Sequence, residues 1–175
     1  AERLAADGRF GENKMRIYAS QNAPFTIMYD SWKAHSRQLV PMTPEEGRNK
    51  AEVILGKVLS NRKPPYSLAG GLFDVLEKSG GDMFKVSNDE VVSWVVRYFS
   101  AEGYDIFPAS ACAVASLKQA LDAGVIKHDE TVMLNVTGGG MLGATRKGFI
   151  LKEPDLVLSP DLPAEEIIAA IDKLF

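Results

Sequence analysis

The chain has 175 residues, 46% of them hydrophobic and 25% charged, with a net charge of -3. That length and apolar content suit one globular domain with a real core, and the slightly acidic balance argues against a nucleic-acid surface. The single cysteine, Cys112, excludes an internal disulfide and fits a reducing, cytoplasmic setting, and no apolar run approaches the length needed to span a bilayer.

Residues 1–7 are rich in helix formers and run into Gly8, so they read as the closing turns of a helix that begins earlier or, equally, as a native amino-terminal helix whose initiator Met has been removed. Residues 15–20, Met-Arg-Ile-Tyr-Ala-Ser, are a strand candidate. Pro24 is placed to start a helix reaching Ser36. Pro41 and Pro44 punctuate the chain, and a helix is expected from Glu45 to Leu59. Pro64 and Pro65 forbid helix and make 61–66 a loop. The spacing of Leu68, Leu72, Val75 and Leu76 predicts a helix over 68–79, stopped by Gly80 and Gly81.

Ser87 and Glu90 form a capping box. The helix behind them is apolar almost all round, which predicts deep burial, and Gly103 ends it. Ser110 is expected to cap a helix over 111–123 that places Cys112 among alanines as a buried, inert residue. Residues 131–136, Thr-Val-Met-Leu-Asn-Val, have the strongest strand character in the chain and lead into Thr137, Gly138, Gly139 and Gly140. An edge strand is expected within 149–158. A final helix over 163–175, capped near Asp161 or Leu162, would turn Ile167, Ile168, Ile171 and Leu174 inward. Alternating strands and helices give the α/β class, with a mostly parallel sheet flanked by helices. Few strands for so many helices would leave a narrow sheet with open edges, so further material is expected to complete it.

A strand ending in Gly138, Gly139 and Gly140 exposes backbone amides at the carboxyl end of a sheet, where ligands of open α/β folds bind. A tight turn needing positive φ explains the same glycines equally well. Gly138, Gly140 and Gly143 also match a dinucleotide fingerprint, which would need a helix starting inside the motif and an acid such as Glu153 or Asp155 on a ribose. Asn61, Arg62 and Lys63 form a polar, cationic group suited to a phosphate or sulfonate, or else a solvated loop, and Arg146 with Lys147 pose the same choice. His35 and His128 stand alone, without metal-ligand spacing.

Taken in order, several motifs resemble the pyridoxal-phosphate (PLP) enzymes of fold type II, the tryptophan-synthase-β and threonine-synthase group. They are Ile17-Tyr-Ala-Ser-Gln21, Leu59-Ser-Asn-Arg-Lys-Pro-Pro65, Ser79-Gly-Gly-Asp82 with Val86, Ser87 and Glu90, Ala101-Glu-Gly103 with Pro108-Ala-Ser-Ala111, and Leu134-Asn-Val-Thr-Gly138. The resemblance covers about Met15 to Gly148. It implies that the chain is the carboxyl-terminal portion of such an enzyme. The Schiff-base lysine, the substrate-carboxylate loop and the phosphate cup would lie upstream, so this chain would carry no catalytic residue and would be inactive alone.

The resemblance further implies that Thr137 faces the pyridine nitrogen, that Gly138, Gly139 and Gly140 line the ring edge, and that Asn61, Arg62 and Lys63 face substrate. Asn61-Arg-Lys-Pro-Pro-Tyr-Ser67, Asp105-Ile-Phe-Pro-Ala-Ser110 and Asn135-Val-Thr-Gly-Gly-Gly140 are similar to members that replace the phosphate of O-phosphoserine with sulfite to give L-cysteate for coenzyme M biosynthesis, and imply a homodimer when complete. Phe107 stands where many relatives carry a glutamate, and Met141 and Leu142 stand where threonine synthases commonly place a lysine. The alternatives are threonine synthesis from O-phosphohomoserine, a nucleotide-binding module, and a non-catalytic domain that kept the fold.

Overall fold

The computed structural model describes residues 3, 6–9, 11, 14–140, 148 and 153–174. The chain divides into two compact units, Ala1–Met141 and Leu142–Phe175.

In the first unit, β1 (Tyr18–Asn22) and β2 (Asp82–Val86) pair in parallel, with Tyr18 opposite Asp82 and Asn22 opposite Val86. This is the expected α/β class, and among the described residues the sheet has these two strands. β1 lies toward the carboxyl end of the expected run, because the ladder begins where Asp82 N–H reaches the Ile17 carbonyl at 3.3 Å. β2 has no counterpart among the sequence expectations. At the amino end, Arg3 and Ala6 are helical, Asp7 N–H bonds the Arg3 carbonyl at 3.1 Å and Gly8 follows at φ 71°.

The crossover between the strands carries α1 (Ile27–Lys33), α2 (Pro44–Val53), a 3-10 turn at Lys57–Leu59, and α3 (Leu72–Ser79). Pro24 does not open α1: its peptide bond with Ala23 is cis, and the helix starts after Thr26. Pro44 is not a break but the first residue of α2, behind a capping box in which Thr43 and Glu46 each bond the other's backbone N–H. α2 stops at Val53, short of Leu59. α3 begins at Leu72, not Leu68, because the Leu72 and Phe73 N–H groups find the Pro65 and Tyr66 carbonyls, each at 3.2 Å. The proline loop thus caps α3, and Tyr66 pins it: the ring is fully buried against Phe73, and its hydroxyl donates to the Ser36 carbonyl at 2.9 Å.

After β2 come α4 (Asn88–Glu102) and α5 (Pro108–Asp122). The Ser87–Glu90 capping box is formed as expected, and Gly103 ends α4 in the left-handed region. α5 lies against both strands, and α4 lies against α5. One core joins Val86, Val91, Ile106, Ala111, Cys112 and Ala115; another, around α1 and α3, joins Trp32, Tyr66, Leu76 and Met83. Cys112 is fully buried, and burial together with the nearby Glu90 charge pushes its thiol up to about 11, so it is inert at neutral pH.

Some expectations are corrected. α4 is not buried all round: Val91, Trp94, Val95 and Tyr98 pack inward, while Val92 and Val96 are 53% and 60% exposed, because α5 covers only one face. Ser110 is not the cap of α5. The helix starts at Pro108 with Phe107 at the cap position, and the Ser110 hydroxyl donates to the Thr137 carbonyl. Residues 131–136 do not form a strand; nearby, Gly139 makes an isolated antiparallel bridge to Ile106. Strand character is local, but a ladder needs a partner at about 4.8 Å. Residues 131–135 instead line a groove of about 1010 Å³ together with residues 14–20, Phe84 of β2 and Ala113, Ser116 and Leu117 of α5.

In the second unit, α6 (Ala164–Ile171) follows Pro163 at the cap position. Ile168, Ile171 and Leu174 are exposed, not inward. Residues 149–152 of the expected edge strand lie outside the described residues, and 153–158 form no strand. Among the described residues no helix is long and apolar enough to cross a membrane.

Burial pushes the Asp82 carboxyl up, but hydrogen bonds from Lys33 Nζ, the Met83 N–H and Trp32 Nε1 outweigh it and hold the group below the usual carboxylate range. A depressed folded-state value adds stability above the unfolded value, about pH 4, and that stability is lost as pH falls through the lower folded value. Asp82→Asn is therefore expected to lower the urea midpoint at pH 7 and to converge with the unsubstituted protein in strong acid. Equal offsets at both pH values would show that charge is not the cause.

Candidate functional site

The site is organised by an asparagine. Asn22 ends β1 and is fully buried. Its Nδ2 donates to the Val86 carbonyl at 3.0 Å and to Asn88 Oδ1 at 3.1 Å, while its Oδ1 accepts the Gly56 N–H at 2.8 Å. Asn88 continues the chain of bonds, accepting from Leu55 N–H at 3.2 Å and donating to the Val53 carbonyl at 2.9 Å. The carboxyl ends of both strands are thereby stitched to the segment that leads into the proline loop. In open α/β sheets this end is where ligands bind.

Beyond that stitch lies a cavity of about 270 Å³, lined by Ser20 and Gln21 of β1, Met28 of α1, Leu59, Asn61 and Leu72 among others. Asn61 Oδ1 accepts the Lys63 N–H at 2.9 Å, which folds the loop into a local turn. Arg62 and Lys63 are exposed and do not line the cavity. The Arg62 stem instead lies over α2 at Gly47, where a Cβ would come within 2.7 Å of Arg62 Cδ. A side chain at position 47 would oblige the exposed Arg62 stem to shift, while glycine inside a helix costs about 1 kcal/mol against alanine.

The Gly-rich turn sits at the amino end of α5. Phe107 N–H donates to the Gly138 carbonyl at 3.4 Å, Gly140 N–H to the Asp105 carbonyl at 2.9 Å, and Ser110 to the Thr137 carbonyl. Gly138 is in the left-handed region at φ 81°, and a Cβ there would lie 2.6 Å from the Phe107 ring; a Cβ on Gly140 would strike the Asp105 carboxylate. Both glycines are therefore required by the turn itself. Gly139 differs: a Cβ there meets nothing within 4 Å. Thr137 and Gly139 are exposed. Gly138 to Gly140 bridge to the segment before α5 and do not open a helix, and Gly143, Arg146 and Lys147 lie outside the described residues.

The turn and the cavity are connected through Leu59, which lines the cavity and packs on the core cluster that also holds Val136. The structure thus brings Asn61 together with Gln21 and Ser20, and Thr137 together with Ser110. It leaves Arg62 and Lys63 at the surface beside them. Sequence reasoning missed Asn22, Asn88 and Tyr66, and treated Gln21 only as a strand end. An asparagine followed by Ala-Pro reads as a turn, and nothing in its local pattern signals a buried clamp.

A family model described as pyridoxal-phosphate dependent enzyme matches residues 2–138. Among curated relatives, the cysteate synthase of Methanocella paludicola is 41% identical over 174 residues, covering 98% of this chain and 40% of the relative. The cysteate synthase of Methanosarcina acetivorans is 39% identical over 168 residues, covering 94% and 40%. That of Methanoculleus marisnigri is 43% identical over 141 residues, covering 80% and 33%. The chain spans about two fifths of the length of the first of these relatives.

Gly138→Ala is expected to cost about 1–2 kcal/mol for the left-handed backbone alone, and more for the Phe107 contact, whereas Gly139→Ala should leave the denaturation midpoint nearly unchanged. Equal costs at the two positions would remove the conformational explanation of this turn.

Proposed function

Since the chain belongs to the pyridoxal-phosphate dependent enzyme family, we propose that it is the carboxyl-terminal portion of a cytoplasmic, homodimeric cysteate synthase, converting O-phospho-L-serine and sulfite to L-cysteate and phosphate on the route to coenzyme M. The observation that carries this reading is identity of 41% to a curated cysteate synthase across 98% of the chain, with the proline loop and the Gly-rich turn inside the match. In the reaction the Cβ–O bond to phosphate breaks, a C–S bond to sulfite forms, and the Cα proton leaves and returns, so there is no net oxidation.

The residues present fit one edge of the cofactor. Thr137 is exposed, and beside it Gly139 has open space where a side chain would stand. PLP, when bound, supplies the electron sink that lets the Cα proton and the β-substituent depart. Thr137 would hold the cofactor's pyridine nitrogen through a neutral hydroxyl, which would not protonate it and so would favour replacement at Cβ over deeper charge delocalisation. Gly138 and Gly140 keep the turn's backbone in place against Phe107 and Asp105. Asn61 binds substrate from the loop, and Arg62 and Lys63 supply positive charge beside it for two anionic reactants. The lysine that bonds the cofactor lies in the portion of the protein beyond this sequence.

The test uses the longest polypeptide encoded with this sequence, loaded with PLP. Phosphate release from O-phosphoserine is expected to depend on sulfite and to yield L-cysteate. Release from O-phosphohomoserine alone would move the reading to threonine synthesis. A protein that takes up no PLP would overturn it.

A further inference from the structure

Every residue from Lys14 to Ser20 lines the groove of about 1010 Å³, and so does every residue from Thr131 to Asn135. Side chains of a strand alternate between its two faces. In β1, Ala19 packs with Met83 in the core around α1 and α3, whereas Ser20 stands opposite Phe84, on the face that Val86 turns to the α5 core. Residues from both faces therefore border the groove in unbroken sequence, and what borders it is the edge of β1.

The backbone agrees. The Ile17 carbonyl accepts the Asp82 N–H at 3.3 Å, and the Ala23 N–H donates to the Val86 carbonyl at 2.8 Å. In a parallel ladder alternate residues of a strand bond to a given neighbour. The odd-numbered positions of β1 thus face β2, and Tyr18 and Ser20 turn their N–H and C=O groups the other way, toward the groove. Residues 131–136 make no ladder either, although Leu134 and Val136 pack on the α5 core. An unpaired strand edge is a template for a further strand.

The path of the chain says which strand. α1 and α3, which lie between β1 and β2, pack on the Ala19–Met83 face; α5, which leads from β2 to residues 131–137, packs on the Val86 face. Crossovers between parallel strands are right-handed, so helices on opposite faces mean that the chain crosses the sheet in opposite directions. From β2, residues 131–137 therefore lie beyond β1. At the amino end, Arg3 and Ala6 are helical, Gly8 follows at φ 71°, and β1 comes next. A strand before that helix would reach β1 by another crossover of this kind and fall between the two walls. A second copy of the chain fits less well, because a two-fold axis would bring two β1 edges together, and residues 131–135 already wall that side of the groove.

We propose that the groove seats a parallel β-strand of the same polypeptide, the one that directly precedes the helix at residues 1–7 in the full-length protein, giving the order β2, β1, inserted strand, residues 131–136. This rests on the reading above that the sequence is the carboxyl-terminal portion of a longer enzyme. A strand seated there ends level with Asn22 and Thr137. The residues that follow it emerge between the Asn61 cavity and the Gly-rich turn, at the end of the sheet where ligands bind.

The test uses the full-length protein. Residue-resolved hydrogen exchange is expected to show the Tyr18 and Ser20 amides exchanging about as slowly as those of β2, and at least about a hundredfold more slowly than the exposed Asn61 and Arg62 amides. A photoreactive side chain placed at Val132, and separately at Asn135, should cross-link to the segment upstream of Ala1, with Asn135 reaching the later residues of that segment. Tyr18 and Ser20 amides that exchange like the loop would overturn the proposal. So would cross-links in the reverse order, or cross-links to the other subunit in a mixture of heavy- and light-isotope protein. Neither readout uses a reactant, so cross-links in the expected order from a protein that does not consume O-phosphoserine leave the strand standing while the reaction reading falls. Sulfite-dependent phosphate release with a loop-like β1 edge does the opposite.

Discussion

The carboxamide of Asn22 is the interaction on which the rest of this structure depends. It is fully buried, and its two ends hold β2 at Val86, α4 at Asn88 and the entry to the proline loop at Gly56. A buried amide of this kind stabilises only if every end is paired; leaving a partner unsatisfied costs about 1–3 kcal/mol. Both strand ends and the loop that carries Asn61 are therefore fixed together or not at all. Gln21, one position earlier, orients α1 through its oxygen alone, which accepts the Met28 and Tyr29 N–H groups. Two adjacent carboxamides at one strand end thus orient the elements around the cavity, in opposite directions because successive side chains of a strand alternate.

What could be read from the amino-acid order was whatever depends on neighbours in sequence. The Ser87–Glu90 box, the Gly80 stop and the Pro64–Pro65 loop are local devices, and all are present. Thr43–Glu46 is a device of the same kind, hidden by the prolines around it. Pairing was not legible. Residues 131–136 have strand composition yet form no ladder, whereas Asp82-Met-Phe-Lys-Val86, which opens on an acid, does, because its partner β1 is in place. The apolar circumference of α4 likewise said nothing of how many sides would be covered.

The site divides the same way. Thr137 and the glycines were visible as a motif, but the reason for each glycine is tertiary: Phe107 against Gly138, Asp105 against Gly140. Asn61, Arg62 and Lys63 read as one cationic group, and the fold separates them. Asn61 lines the cavity while the Arg62 stem lies over Gly47. The distinction follows from side-chain length and from the turn that Asn61 makes with Lys63, neither of which a charge pattern records.

The groove beside β1 has a consequence for how extended segments are aligned. Near its start, the Arg16 guanidinium donates to the Val125 carbonyl at 3.0 Å and pairs with Glu130, just ahead of residues 131–136. At its end, Gly56, bound to Asn22, approaches Ala109, and Ser110 holds Thr137. β1 and residues 131–137 therefore run in the same sense along α5 without touching as a ladder. One end of the alignment is set by an ion pair between groups more than a third exposed, which dissolved salt screens; the other is set by neutral hydrogen bonds, which salt leaves alone. The stagger between the two segments is thus hinged at α5's amino end and loosens with ionic strength only at the opposite one.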